Sequence, residues 1–206
     1  MEGEVKQRAR SSKVILIIAA LFLTPMVISW VMLKSVDDWG SRATRNHGEL
    51  VRPAKPLSEF HLQRQDGSAF NLQDLKHLWT IVYIGNKSCD QTCADILYKT
   101  RQSRLAQGKE MSRVQRVFVL NQIHLSPADK TTIEESHPQL IVANGDDNEL
   151  AEFIRQFAID GKDVPAAQRI YIVDPLGNLM MSYEPDFKGP DLIKDLERLL
   201  RVSQIG

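Results

Sequence analysis

The two cysteines are the residues of this chain best suited to chemistry. Cys89 and Cys93 are its only cysteines, and they lie four positions apart in a chain of 206 residues. Residues at that spacing share one face of a helix, one turn from each other, so the two sulfurs can converge. They could close a disulfide after a small backbone adjustment, or hold a soft metal ion such as Cu(I).

The sequence around the pair indicates a strand that gives way to a helix. Residues 79–84 are an unbroken apolar run rich in β-branched and aromatic side chains, and Gly85 and Asn86 end it. The run predicts a strand covered on both faces, as in a parallel sheet. Ligands of open α/β sheets bind at the carboxyl ends of strands, and a helix N-terminus favours a thiolate over a thiol.

A simpler interpretation is that the cysteines are two small buried hydrophobic residues, since free cysteine is among the most buried residue types. Two observations argue against it. Both cysteines of the chain fall within one short segment, and their neighbours are polar: Lys87, Ser88, Asp90, Gln91 and Thr92. The pattern therefore favours a redox or metal-binding role.

Length and charge restrict the class of protein. The chain has 26 basic and 26 acidic residues, so its formal charge is zero and no basic excess predicts nucleic-acid binding. Residues 14–33 carry no charge and are long enough to form one transmembrane helix, which we expect to remain uncleaved. Positive residues cluster more tightly before this segment than after it. We therefore expect residues 1–13 to form a cytoplasmic tail and the remainder to lie outside the cytoplasm.

Residues 34–56 are polar, contain Pro53 and Pro56 near their end, and are predicted to be a linker. The folded domain is then predicted to cover residues 57–206. Within it, alternating apolar residues on both sides of Asp66 and Gly67 indicate a β-hairpin.

The rest of the domain alternates strands and helices. Residues 114–120 are predicted to form a strand parallel to the first, because a helix long enough for a crossover connects them. Further helices are predicted at residues 127–135 and 147–157 and after Gly189, and further strands at residues 140–142, 169–173 and 179–183.

This order of elements resembles a thioredoxin-like α/β domain, a mixed sheet flanked by helices, with an added N-terminal β-hairpin. From Leu57 to the C-terminus, the chain is similar to the Sco/SenC family of cytochrome c oxidase assembly proteins. The segments that carry the resemblance are residues 60–72, residues 79–93 with Cys-Asp-Gln-Thr-Cys, and residues 170–177 with Ile-Tyr-Ile-Val-Asp-Pro-Leu-Gly. The resemblance implies an extracytoplasmic domain on an inner-membrane anchor, in the periplasm or an equivalent space.

The resemblance also implies copper, bound by Cys89, Cys93 and a distal histidine. The place of that histidine falls at about Ala166, and residues 164–168 contain none. Two thiolates can still bind Cu(I). His124 is a candidate replacement ligand, because it follows the second predicted strand; the alternative is a solvated loop histidine. In the family, each cysteine is usually followed by or close to proline, whereas here Asp90 and Ala94 stand at the two following positions.

Three functions remain open at this point. The first is an assembly factor that reduces the cysteines of an oxidase subunit or of another assembly factor, or passes Cu(I) to them. In it Cys89, nearer the helix start, is the nucleophile and Cys93 resolves the mixed disulfide. The second is a non-catalytic scaffold with a degenerate copper site. The third is a general extracytoplasmic thiol–disulfide oxidoreductase, against which the three-residue gap between the cysteines argues.

Overall fold

The chain forms two compact units that divide between residues 45 and 46. In this computed structural model, the described residues are 17–32, 34, 46–85, 89–120, 127–159 and 161–203. In the first unit, residues 17–32 form helix α1. Over the described ranges, no helix combines the length and the apolar composition needed to cross a bilayer. The predicted tail (residues 1–13) and the ends of the predicted span (residues 14–16 and 33) lie outside those ranges.

The second unit is built on one mixed sheet of eight strands, ordered β1-β8-β7-β4-β5-β6-β2-β3. Its strands are β1 (Glu49–Pro56), β2 (His61–Arg64), β3 (Ala69–Asn71), β4 (Trp79–Gly85), β5 (Val114–Leu120), β6 (Leu140–Asn144), β7 (Ile170–Val173) and β8 (Asn178–Tyr183). Strands β4, β5 and β6 are parallel, and the other pairs are antiparallel. The predicted α/β sheet, its parallel pair and its hairpin are confirmed.

Five helices of the second unit are described. They are α2 (Gln91–Leu105), α3 (Pro127–Ser136), α4 (Asp147–Arg155), α5 (Val164–Ala167) and α6 (Gly189–Val202). Local sequence fixes where α4 begins. Asp146 and Glu149 form a capping box at the start of α4, which satisfies backbone N–H groups that the first helical turn leaves free.

Strand β4 lies at the centre because almost all its residues are apolar, on both faces, and all seven are buried. One face of the sheet packs against α2 and α6, through Ile96, Leu97 and Leu196 among others. The other face packs against α4 through Phe153, and Phe70 of β3 belongs to the same apolar layer. Two apolar layers thus fix the position of the carboxyl end of β4.

The predicted linker boundary is wrong at its C-terminal end. Residues 49–56 form β1, which pairs antiparallel with β8 at the edge of the sheet, with Glu49 opposite Ser182. This strand is difficult to recognise from sequence because it is mostly exposed and contains two prolines. Proline is tolerated on an edge strand, whose N–H groups need no partner on the open side. The folded unit therefore begins before Leu57.

A buried carboxylate holds the start of this unit. Asp195 of α6 is 1% exposed. It accepts hydrogen bonds from the backbone N–H groups of His47 and Gly48, at 2.7 and 3.0 Å, and from the Tyr183 hydroxyl at 2.7 Å. The His47 ring nitrogen Nδ1 and the Arg198 guanidinium each lie 3.1 Å from its other oxygen. Hydrogen bonds thereby connect the start of the second unit, at His47 and Gly48, to helix α6.

Candidate functional site

Cys89 and Cys93 lie between the carboxyl end of β4 and the first turn of α2. The connecting residues 86–88 are outside the described ranges. Asp90 is the N-cap of α2, and its carboxylate accepts a hydrogen bond from the backbone N–H of Cys93 at 2.9 Å. An aspartate is a favoured N-cap because it satisfies N–H groups that have no partner within the helix. The cap therefore sets the position of Cys93 on the first turn.

The two cysteines form a disulfide, with their Cα atoms 5.0 Å apart. Cys93 is 1% exposed and belongs to the apolar layer that contains Ile96 and Leu97. Cys89 is only partly buried against the same layer. The predicted convergence of the sulfurs is present, and Cys89 is the less buried of the two residues.

A buried tyrosine beside the pair was not anticipated from the sequence. Tyr83 of β4 is 2% exposed, and its ring stacks on Phe118 with centroids 5.3 Å apart. Its hydroxyl has no hydrogen-bond partner among the described residues. Burial, and then the negative charge of Asp90, raise the pKa of Tyr83, so it stays protonated at neutral pH. A tyrosine within a largely apolar strand was the available signal.

The sequence predicted a histidine as a further metal ligand beside the two cysteines. His124 lies outside the described residues, so its predicted role as a ligand stays a prediction. Ala166, at the place predicted for the family's histidine, lies in the short helix α5. Within the described part of the chain, no three residues among His, Cys, Asp and Glu are grouped to hold a metal ion. After reduction, the two cysteine sulfurs are soft donors that suit Cu(I).

Comparisons with known proteins agree with this fold. The family model described as "Transmembrane-like, thioredoxin-like, C-terminal domain" matches residues 79–203. Protein SCO1 homolog 1, mitochondrial, of Arabidopsis thaliana is 30% identical over 135 residues, which are 62% of this chain and 40% of that protein. The chain thus matches less than half the length of that relative.

Two solved structures share the fold. The copper-bound structure of ScoI from Bradyrhizobium japonicum is 23% identical, with a TM-score of 0.57, and the match covers 70% of this chain and 99% of that one. The structure of BsSco, a member of the Sco family of cytochrome c oxidase assembly proteins in which a disulfide switch was identified, is 18% identical. Its TM-score is 0.56, and the match covers 73% of this chain and 96% of that one.

These findings confirm the resemblance to the Sco family that the sequence predicted. The family model alone spans more than half of the 206 residues. This chain, with its thioredoxin-like sheet and its bonded cysteine pair, belongs to the transmembrane-like, thioredoxin-like family whose model it matches, and it is similar to the Sco proteins named above.

Proposed function

We propose that this chain is a membrane-anchored, Sco-like assembly factor for cytochrome c oxidase that acts by thiol–disulfide exchange at Cys89 and Cys93. The observation that carries the proposal is the bonded pair at the helix N-terminus, with Cys93 buried and Cys89 only partly buried. The similarity to BsSco, an oxidase assembly protein with a disulfide switch, supports it. The uncharged segment at residues 14–33 supports an anchor, with the folded unit outside the cytoplasm.

In the proposed reaction, the reduced protein transfers two electrons to a target disulfide. The Cys89 thiolate attacks one target sulfur, the target S–S bond breaks, and the other target cysteine leaves as a thiolate. The Cys93 thiolate then attacks the Cys89 sulfur, which releases the second target thiolate and forms the Cys89–Cys93 disulfide. The target is reduced, this protein is oxidised, and an extracytoplasmic dithiol must reduce it again.

Burial assigns the roles of the two sulfurs. Because Cys93 is 1% exposed, a target sulfur can approach only Cys89 without local opening of α2. Cys93 is four residues away, on the first turn of α2, and already within bonding reach. An intramolecular attack from such a position is favoured over attack by a second molecule, since its entropic cost is already met by the fold.

The carboxylate of Asp90 and the positive end of the helix dipole have opposite effects on the stability of the Cys89 thiolate. A negative charge disfavours a nearby thiolate, whereas the helix N-terminus favours one. Asp90→Asn removes the charge and keeps a good N-cap residue. We expect reduced Cys89 to react with iodoacetamide faster at neutral pH, by about two- to tenfold. Asp95→Asn, which removes a carboxylate paired with Lys99, is the control. Equal rates in both variants would contradict this account.

The exchange reaction is tested by trapping. The full chain in non-ionic detergent is reduced and mixed with a peptide that contains a disulfide. Cys93→Ala should accumulate a mixed disulfide through Cys89, because no resolving sulfur remains, whereas Cys89→Ala should accumulate little. Equal trapping by both variants would contradict the assigned roles. In cells, assembled oxidase should fall when both cysteines are replaced by alanine; unchanged oxidase would favour a scaffold.

Transfer of Cu(I) is a second candidate function, favoured by the 5.0 Å Cα separation that brings two soft donors together. Cu(I) is titrated into the reduced full chain beside Cys89→Ala and Cys93→Ala. One tight site that both substitutions remove would support metal transfer. Binding that survives either substitution would place the ion elsewhere.

A further inference from the structure

Arg116 is a buried charge without a counter-charge in the described part of the chain. It lies on β5, on the side of the sheet that faces α2, and is 2% exposed. Its Nη2 donates to the backbone carbonyl of Pro138 at 3.2 Å. Its Nε and Nη1 atoms are buried and have no hydrogen-bond partner within the described ranges. Among the same residues, no carboxylate forms an ion pair with it.

The groups around Arg116 are also basic. Arg101 and Arg104 lie one turn apart on α2, and the Nε of Arg104 donates to the carbonyl of Val114, two residues before Arg116, at 2.6 Å. Burial, and then the charges of Arg104 and Arg101, lower the pKa of Arg116 to about 10. Burial, and then Arg116 and Arg101, lower the pKa of His137. Basic groups from α2, from β5 and from the residue after α3 therefore converge.

Such an arrangement is unfavourable unless something compensates it. Buried charges in proteins are normally paired, because removal from water is costly for an isolated ion. An unpaired buried donor in a folded protein also calls for a specific explanation, such as a bound ion. Here the like charges of three arginines add to the cost. An anion would remove both difficulties at once.

The cluster contains both surface and buried groups. Arg101, Arg104 and His137 are only partly buried, whereas the guanidinium of Arg116 is buried. The Nδ1 atom of His137 is itself buried, and no described residue bonds to it. Guanidinium groups present several N–H donors in a fixed plane, a geometry that suits the oxygens of phosphate.

We propose that Arg116, Arg101, Arg104 and His137 form a binding site for a small oxyanion of the phosphate class. The site is separate from the cysteines. Arg116 lies near the amino end of β5, whose first residue, Val114, is in register with Trp79 at the start of β4. Cys89 follows the opposite, carboxyl end of β4.

The test measures thermal unfolding of the full chain in non-ionic detergent as inorganic phosphate is increased at constant ionic strength. The wild type should show a saturable rise in melting temperature, since a ligand that binds only the folded state stabilises it. Arg116→Met removes the charge but keeps the apolar stem, and should weaken phosphate binding by about tenfold or more. Arg201→Met removes an exposed arginine of α6 and should leave binding unchanged.

A rise that is equal in all three proteins would overturn the proposal, since it would show a general salt effect only. So would a wild type whose melting temperature does not respond to phosphate. If Arg116→Met does not fold, Arg101→Gln decides, because this side chain is half-buried and its loss should not prevent folding. It should weaken phosphate binding several-fold, and unchanged affinity would exclude the cluster as the site.

A second titration distinguishes the source of the anion. Glycerol 3-phosphate carries the phosphate monoester of a lipid headgroup without its acyl chains. Because the guanidinium lies deep in the fold, inorganic phosphate should bind more tightly than the ester. Tighter binding of the ester would instead assign the site to a headgroup, and binding of neither would overturn the proposal.

Discussion

Asp195 and Arg116 are both charged and almost fully buried, yet the fold surrounds them in opposite ways. Asp195 accepts hydrogen bonds from two backbone N–H groups and the Tyr183 hydroxyl, and its second oxygen faces His47 and Arg198. Within the described ranges, Arg116 has one carbonyl partner and two unpartnered nitrogens. Within this part of the chain, both oxygens of Asp195 therefore have hydrogen-bond partners, whereas two of the three guanidinium nitrogens of Arg116 have none.

The difference indicates two roles. A carboxylate with all its oxygens engaged joins distant segments, here the start of the folded unit and α6. Removing it would leave several buried donors without an acceptor. A guanidinium whose N–H donors lack partners contributes few hydrogen bonds to the fold. Those donors are suited to bind an anionic ligand from outside the protein. Asp195 therefore has a structural role, whereas Arg116 is suited to binding.

Substitution of Asp195 should cause the largest change in the free energy of unfolding. Asp195→Ala leaves the N–H groups of His47 and Gly48 and the Tyr183 hydroxyl unpaired, and should lower the free energy of unfolding by about 3–5 kcal/mol. Urea denaturation of the full chain measures it. Asp191→Ala, which removes a partly exposed carboxylate 3.4 Å from His47, should cost about 1 kcal/mol or less. Equal losses would show that burial of Asp195 contributes little.

Substitution of Arg116 should act in the other direction. In phosphate-free buffer, Arg116→Met replaces an uncompensated charge with an apolar side chain of similar length. The free energy of unfolding should stay the same or increase by up to about 2 kcal/mol, because the desolvation cost disappears. The same denaturation measurement applies. A loss above about 2 kcal/mol would show that the fold depends on this guanidinium, and the contrast with Asp195 would fail.

The effect of pH should be smaller and limited to acid conditions. Burial alone would raise the pKa of Asp195, but hydrogen bonds from Tyr183, Gly48 and His47 outweigh it and lower this pKa below 3.8. A carboxyl group with a lowered pKa in the folded state stabilises the protein above its unfolded pKa, and this stabilisation is lost as the pH falls through the folded pKa. The stability difference between wild type and Asp195→Asn should thus be constant above about pH 5 and shrink below about pH 4. Denaturation at several pH values tests this, and a difference that persists in strong acid would contradict it.

The sequence predicted the fold best where hydrophobic patterns are strong. Strand β4 was recognised because almost all of its residues are apolar. Strand β1 was missed because an exposed edge strand carries almost no apolar signal. Its place depends on backbone pairing with β8 and on contacts to Asp195, which is distant in sequence, as in the bond from the His47 N–H.

The same reasoning applies to the candidate sites. The spacing of Cys89 and Cys93 predicted their proximity, because residues this close in sequence at the start of a helix meet through local geometry alone. No spacing connects Arg116 with Arg101 or His137, which meet only when α2 and α3 pack on the sheet. The surroundings of the Tyr83 hydroxyl could not be predicted either, since the sequence does not show which donors or acceptors lie next to a buried side chain.

The pairing of β1 with β8 decides where a fragment of this protein can begin. Without residues 49–56, the edge of β8 would present free backbone groups beside the apolar side chains of Leu179 and Met181. An open edge of that kind can pair with another chain and cause aggregation. A fragment cut at Leu57 would therefore tend to self-associate, whereas one that starts at Asn46 carries its own cover.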